Sequence, residues 1–131
     1  MSQNDDKTTR YWLTGSAENF AKAERDFKLG DNVYALFWLH LAAEKLLKAA
    51  ITKLTKAPAP YNHDLVYLCQ AANVQLDDAQ EKFLKTLTVF QLETRYPEDF
   101  LDLKKQASNE VTASLFSEFN KFQTWLNQIL K

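Results

Sequence analysis

Glycine and cysteine are scarce in this sequence, and long apolar runs are missing. Only two glycines occur in 131 residues, which is few for a β-sheet protein that turns tightly and often. A single cysteine, Cys69, excludes an intrachain disulfide and fits a reducing compartment. No run approaches the roughly 18 apolar residues of a membrane helix. The polar start MSQNDDKTTR lacks the apolar core of a secretory signal, so we expect a cytoplasmic protein with no membrane partner.

Several chemical signatures are also missing. The formal net charge is −1, so no general attraction draws the protein to nucleic acid, and RNA would need a local basic patch. The two histidines and one cysteine form no HExxH or CxxC pattern, and we therefore expect no metal site. Neither a glycine-rich phosphate loop nor a GxSxG motif occurs, so we expect no cofactor and no nucleophilic hydrolysis.

Helical periodicity dominates what remains. Apolar residues recur at steps of three and four, which is typical of amphipathic helices. This spacing predicts long helices over about 11–29, 32–54, 76–96 and 108–130, and a short helix over 63–72. Gly30 is expected to end the first helix, and Asp31 or Asn32 can cap the second after this short link. Asp77 with Gln80 makes a capping-box pattern at the start of the third. We predict an all-α fold, an up-and-down four-helix bundle with one additional short helix. The chain is expected to form a single domain over residues 1–131, with 1–9 as a flexible tail.

The apolar stripes of the first and last long helices identify candidate core residues. In the first helix they are Leu13, Ala17, Phe20, Ala23 and Phe27. In the last they are Val111, Leu115, Phe119, Phe122, Leu126 and Ile129. Phe116 and Trp125 lie off this second stripe, so they either widen the core face or contact another chain.

The segment from Asn32 to Leu54 is apolar on nearly every side, which predicts a central, surrounded helix. His40, Glu44 and Lys48 are each four residues apart and therefore share one stripe. One interpretation is a solvated stripe, in which Glu44 and Lys48 form an i,i+4 pair worth about 0.3–0.5 kcal/mol. The other is a polar groove, between helices or subunits, that receives a ligand.

Two further motifs carry polar side chains. At the predicted start of the short helix, Asn62 is the expected cap, and Asp64 would favour the helix dipole. Alternatively, His63 is a phosphate donor or a general acid or base oriented by Asp64. At the predicted end of the third long helix, Arg95 either donates hydrogen bonds to the last carbonyls of that helix or binds a phosphate or carboxylate. Its neighbour Tyr96 either packs or stacks on a base.

Three motifs in this order resemble the HEPN domain family (higher eukaryotes and prokaryotes nucleotide-binding). They are AAEKLLKA at residues 42–49, HDL at 63–65 and RYP at 95–97. The resemblance implies a helical bundle that acts as a homodimer. It also implies nucleotide binding and a nucleotidyltransferase protein partner, with which many family members form a toxin–antitoxin pair.

The resemblance does not extend to the ribonuclease motif of active family members, an arginine followed by four to six residues and a histidine. Val33, Tyr34 and Ala35 precede His40 at the required distance, and no histidine follows Arg95. We therefore expect binding rather than catalysis. The candidate ligand-binding residues are Glu44, Lys48, His63, Asp64, Arg95 and Tyr96. One alternative is a ribonuclease toxin with an atypical centre at His63 and Arg95; another is a purely structural interaction protein.

Overall fold

A computed structural model describes the backbone of residues 3–131 and the side chains of residues 7–131, and this part of the chain contains no strand. The helices are α1 (Gln3–Lys28), α2 (Asn32–Thr55), α3 (Leu65–Ala71), α4 (Asp78–Thr88), α5 (Phe100–Gln106) and α6 (Asn109–Leu130). Two 3₁₀ turns, Leu92–Thr94 and Pro97–Asp99, connect α4 to α5. The all-α prediction is confirmed, but the described chain has two short helices of seven residues, α3 and α5, instead of one.

Helices α1 and α2 form a tight antiparallel hairpin. Gly30 turns the chain at a φ of 82°, which favours glycine, and the Asp31 side chain caps α2 by accepting from the Tyr34 amide. Further along the hairpin, the Thr9 and Thr52 hydroxyls hydrogen-bond at 2.7 Å. The short link agrees with the prediction, and of the two predicted cap candidates, Asp31 and Asn32, Asp31 is the cap. The link and the cap set which residues of the two helices face each other.

The predicted stripe of α1 is confirmed in part. Phe20, Ala23 and Phe27 lie at the core. Leu13 and Ala17 are exposed, and Ser16 and Asn19 are buried in their place. Ser16 donates its hydroxyl proton to the carbonyl of Ala42 at 2.7 Å. Small side chains at this contact let the helices approach closely, so that a serine hydroxyl reaches a backbone acceptor of the neighbouring helix. Apolar periodicity therefore identifies the core face in the second half of α1 and misses it in the first half.

The start of α1 also differs from the prediction. Residues 3–9, expected as a flexible tail, are helical, and Thr9 is buried against α2. Residues 1 and 2 lie outside the described part of the chain.

Helix α6 completes the packing against α1 and α2. The Asn32 side chain donates to the carbonyl of Ala107 at 2.9 Å and to Asn109 at 2.8 Å, so the start of α2 lies beside the start of α6. These helices therefore run parallel, as alternate helices of an up-and-down bundle do. Between α1 and α6, the rings of Phe20 and Phe119 stack with centroids 5.3 Å apart.

The predicted stripe of α6 is confirmed at its centre and fails at its ends. Its buried members are Leu115, Phe119, Phe122 and Leu126. Val111 and Ile129 are each 40% exposed, while Phe116 is buried and Trp125 packs against the core. The core face is therefore widened by the two off-stripe aromatic residues.

The boundaries of α3 and α4 are only partly as predicted. Helix α3 is capped by Asp64, whose side chain accepts from two backbone amides, and the prediction that Asn62 is the cap is wrong. The capping box of Asp77 and Gln80 at the start of α4 is present as predicted. Helix α4 ends at Thr88 rather than near residue 96, because the chain turns there and buries the side chain of Phe90.

A left-handed residue ends α2 and supports a stability prediction. Lys56 has a φ of 60°, which costs a non-glycine residue about 1 kcal/mol or more. We expect Lys56→Gly to raise the free energy of unfolding by about 1 kcal/mol in urea denaturation. Lys56→Ala is the control, because it keeps the left-handed strain and removes only the bond from the Lys56 ammonium to the Lys53 carbonyl. Equal stability of the two variants would contradict the prediction.

Candidate functional site

The polar stripe of α2 is buried rather than solvated. His40 is fully buried, Glu44 is 5% exposed and Lys48 is 6% exposed. The Lys48 ammonium lies 3.1 Å from Oε2 of Glu44, which is the i,i+4 pair predicted from the sequence. Because this pair is removed from water, breaking it costs far more than breaking its solvated counterpart.

The loop before α3 brings His63 against this stripe. Nδ1 of His63 lies 2.9 Å from Oε1 of Glu44, and Nε2 of His40 lies 3.1 Å from the His63 carbonyl. Glu44 therefore contacts Lys48 through one oxygen and His63 through the other. We call His40, Glu44, Lys48 and His63 the His63 cluster.

Hydrogen bonding and burial together define the state of His40. A carbonyl only accepts, so Nε2 of His40 carries the proton and donates to His63. Nδ1 of His40 has no hydrogen-bond partner within the described residues and lies 3.8 Å from Glu44. Burial lowers the pKa of His40 from 6.5 to about 4, although the Glu44 carboxylate acts in the opposite direction. His40 is therefore neutral at pH 7 and anchors the loop that carries His63.

Two aromatic rings flank the charged end of the cluster. The Lys48 ammonium lies 5.2 Å from the ring centre of Trp12 and 5.9 Å from that of Tyr61, within the range of cation–π attraction. Tyr61 is 89% exposed, and its ring centre is 5.3 Å from the imidazole of His63. The cluster thus opens to solvent beside an exposed aromatic ring.

Arg95 and Tyr96 lie in a different groove. Its volume is about 540 Å³, and Tyr34, Pro97 and Phe100 also line it. Tyr34 precedes Glu44 by ten residues on α2, which corresponds to about 15 Å along a helix axis. The fold therefore does not bring Arg95 to His63. The Nε–H group of Arg95 donates to the carbonyl of Val89, the C-cap residue of α4, at 3.0 Å.

Asp64 does not orient His63 in this arrangement. Its carboxylate accepts from the amides of Val66 and Tyr67 at 3.0 and 3.2 Å, which is the work of a helix cap. The residue that orients the His63 ring is Glu44, from a different helix.

The chemistry available to the cluster is that of an oriented imidazole. With Nδ1 held by a carboxylate, Nε2 of His63 forms no hydrogen bond with any described residue, and 24% of the side chain is exposed. Such a nitrogen can bind an anionic oxygen or transfer a proton. Burial raises the pKa of the Cys69 thiol to about 12, which makes it a poor nucleophile.

Metal binding and membrane insertion lack support in the described chain. Side chains of residues 7–131 include no group of three acidic, histidine or cysteine residues placed to hold a metal ion. In residues 3–131, no helix has both the length and the apolar composition needed to cross a bilayer.

Trp12 is absent from the site residues predicted from the sequence, and Tyr61 has no predicted role. A signal for Trp12 exists in the hairpin geometry. Trp12 lies 18 residues before Gly30 and Lys48 lies 18 residues after it, and residues equally far from a tight antiparallel turn face each other. Nothing comparable predicts Tyr61, because its position depends on how the proline-containing loop returns to α2.

Comparison with known proteins identifies this helical bundle. The HEPN domain family model matches residues 9–128, so the chain belongs to the HEPN domain family. Among solved structures, the crystal structure of TT1696 from Thermus thermophilus is similar, with 21% sequence identity and a TM-score of 0.74. The match covers 92% of this chain and 96% of that chain, and at this identity it shows a shared fold. No match was found among curated proteins.

Proposed function

We propose that this HEPN-family chain is a binding module for a phosphate-bearing ligand of the nucleotide class, which contacts His63. The observation that carries the proposal is the 2.9 Å contact between Nδ1 of His63 and buried Glu44. It leaves Nε2 without a hydrogen bond to any described residue, on a side chain that is 24% exposed. A protonated imidazole in this position would donate a charge-assisted hydrogen bond to a phosphate oxygen.

The aromatic residue beside His63 supports a nucleotide over a bare phosphate. Tyr61 is 89% exposed, and the rings of Tyr61 and His63 meet at 67°. An exposed ring with a free face can stack on a nucleobase, and such stacking contributes about 1–3 kcal/mol per base. His63 would then contact the phosphate of the ligand, and Tyr61 would contact its base.

The proposed assembly follows from family membership. We propose that the chain acts as a homodimer with a nucleotidyltransferase partner in a toxin–antitoxin-like pair, in the cytoplasm. Half-buried Trp38 and Trp125 are candidate contacts between chains. Light scattering of the purified protein should give twice the mass of one chain, and a single-chain mass would exclude the homodimer.

The ligand is tested by thermal melting with ATP, GTP, AMP and polyphosphate. At ten times its dissociation constant, a ligand of the folded state adds about 1.4 kcal/mol, which raises Tm by about 5 °C in a domain of this size. We expect a selective rise for nucleotides that is reduced in His63→Ala. Tyr61→Ala keeps the hydrogen bonds of the cluster and should reduce the rise for nucleotides but not for polyphosphate.

Arg95→Ala serves as the matched control, because Arg95 lies in the other groove. It removes one cation from the surface and should leave the Tm rise unchanged. If the rise in Tm persists in His63→Ala but disappears in Arg95→Ala, the ligand binds in the Arg95 groove, and this result would contradict the proposal. A stable dimer with no rise for any ligand would support the purely structural interaction protein.

The Glu44–His63 contact also favours a second candidate function, a ribonuclease with an atypical centre. A carboxylate that orients an imidazole is a common arrangement for a general base. Arg95 is too distant to share such a centre, so His63 would act without it. RNA cleavage that is lost in His63→Ala would establish this activity, and cleavage at the wild-type rate in that variant would exclude it.

A further inference from the structure

A second groove lies on the α1–α2 hairpin, and none of its lining residues belongs to the His63 cluster. Its volume is about 380 Å³. The residues that shape it are Lys7, Arg10, Tyr11, Gly15, Glu18 and Lys45.

Gly15 shapes this groove because its missing side chain leaves room for a side chain of α2. It lies in the interior of α1, where glycine is the least favourable residue apart from proline. A methyl group at Gly15 would lie 2.9 Å from Cδ and 3.4 Å from Nζ of Lys45. Gly15 and Lys45 are each 15 residues from Gly30, so the hairpin places them opposite each other. The missing side chain of Gly15 therefore provides the space in which the Lys45 side chain crosses α1.

Three cations line the groove. Lys7 and Arg10 are one helical turn apart on α1, and Lys45 lines the groove from α2. Within residues 7–131, none of the three forms an ion pair. Among the described side chains, Glu18 is the one acidic residue in the lining, and Tyr11 is 70% exposed. The lining formed by residues 7–131 therefore carries more positive than negative charge, in a protein whose net charge is −1.

We propose that this groove binds a compact polyanion of the phosphate class, a phosphate monoester or a diphosphate. Arginine and lysine together recognise phosphoryl oxygens, the first through its planar fork and the second as a point charge. Glu18 follows Lys7 by eleven residues, about 16 Å along the helix, so a long polyanion would meet a carboxylate within the groove. The net charge of −1 also opposes a long nucleic acid.

The test is calorimetric titration with inorganic pyrophosphate at constant ionic strength. We expect saturable binding by the wild type. Lys45→Met removes one charge-assisted hydrogen bond and should weaken binding about tenfold or more. Lys82→Met makes the same change in net charge at an exposed position on α4 and should stay within about twofold of wild type.

Gly15→Ala tests whether the position of the Lys45 side chain matters for binding, independently of its charge. It keeps every charge and replaces glycine by the best helix former, so a loss of affinity reports the displacement of Lys45. We expect this variant to bind pyrophosphate more weakly than the wild type, but with a smaller loss than Lys45→Met, because the flexible Lys45 side chain can shift. It should remain helical by circular dichroism. Wild-type affinity in both Gly15→Ala and Lys45→Met would overturn the inference, and so would the absence of wild-type binding at millimolar pyrophosphate.

His63→Ala distinguishes this groove from the nucleotide proposal. If the groove binds pyrophosphate, His63→Ala titrates like the wild type. If His63→Ala abolishes pyrophosphate binding and Lys45→Met does not, the anion binds at the His63 cluster. That result would contradict the proposal that this groove binds the anion, and it would be consistent with the proposed function of the His63 cluster.

Discussion

Glu44→Gln is expected to lower the free energy of unfolding by about 3 kcal/mol, because it leaves a buried ammonium without its counter-ion. Glu44 accepts from Lys48 at 3.1 Å and from His63 at 2.9 Å, and it is 5% exposed. The substitution keeps the size of the side chain, so the loss reports charge rather than a cavity. Urea denaturation followed by circular dichroism measures it.

The matched experiment removes both partners. Glu44→Gln combined with Lys48→Met should recover most of the lost stability, because the buried charge disappears with its partner. Lys48→Met alone leaves the Glu44 carboxylate with His63 and should be less damaging than Glu44→Gln. If the two single losses simply add in the double variant, the residues are not coupled and the cluster does not depend on this ion pair.

The second large effect is a dependence of stability on pH that originates at His40. Its pKa is 6.5 in the unfolded chain and about 4 in the fold, because burial opposes the charged form. Between these values the unfolded state binds one more proton, so stability is full above pH 6.5 and falls as the pH approaches 4. The total loss is about 3 kcal/mol.

A comparison with His40→Gln isolates this contribution. Glu44, the His63 carbonyl and Asp64 act on His40, and other titrating groups are common to both proteins. The difference in stability between wild type and variant should therefore shrink by about 3 kcal/mol from pH 7 to pH 4. A constant difference across this range would mean that His40 is not held neutral by the fold.

The sequence predicts those features that depend on local spacing. The Asp77–Gln80 capping box, the Gly30 turn and the centre of the α6 stripe are determined by neighbours three or four residues away. Local rules fail where a contact between distant helices determines which face of a helix is buried. Leu13 loses its expected burial because α1 packs on α2 through Ser16, whose acceptor is 26 residues away.

The candidate site shows the same division. The i,i+4 spacing of Glu44 and Lys48 gave their pairing, but their burial depends on α1 and on the loop before α3. The contact of His63 with Glu44 joins residues 19 apart across a loop with two prolines. The sequence suggests pairing Arg95 with His63 because an imidazole can act as a general acid or base and a guanidinium can stabilise an anion. Their separation into two grooves depends on how the helices pack, which the spacing of residues in one sequence does not determine.

Imidazole NMR during a titration with AMP tests the central claim, that Nε2 of His63 meets the ligand. The chain has only two histidines, so the buried ring of His40 is an internal control. We predict that the ring signals of His63 shift as AMP saturates the protein, while the Nε2–H of His40 stays bonded to the His63 carbonyl and moves little. Saturable AMP binding that leaves the His63 ring signals unchanged would contradict the account.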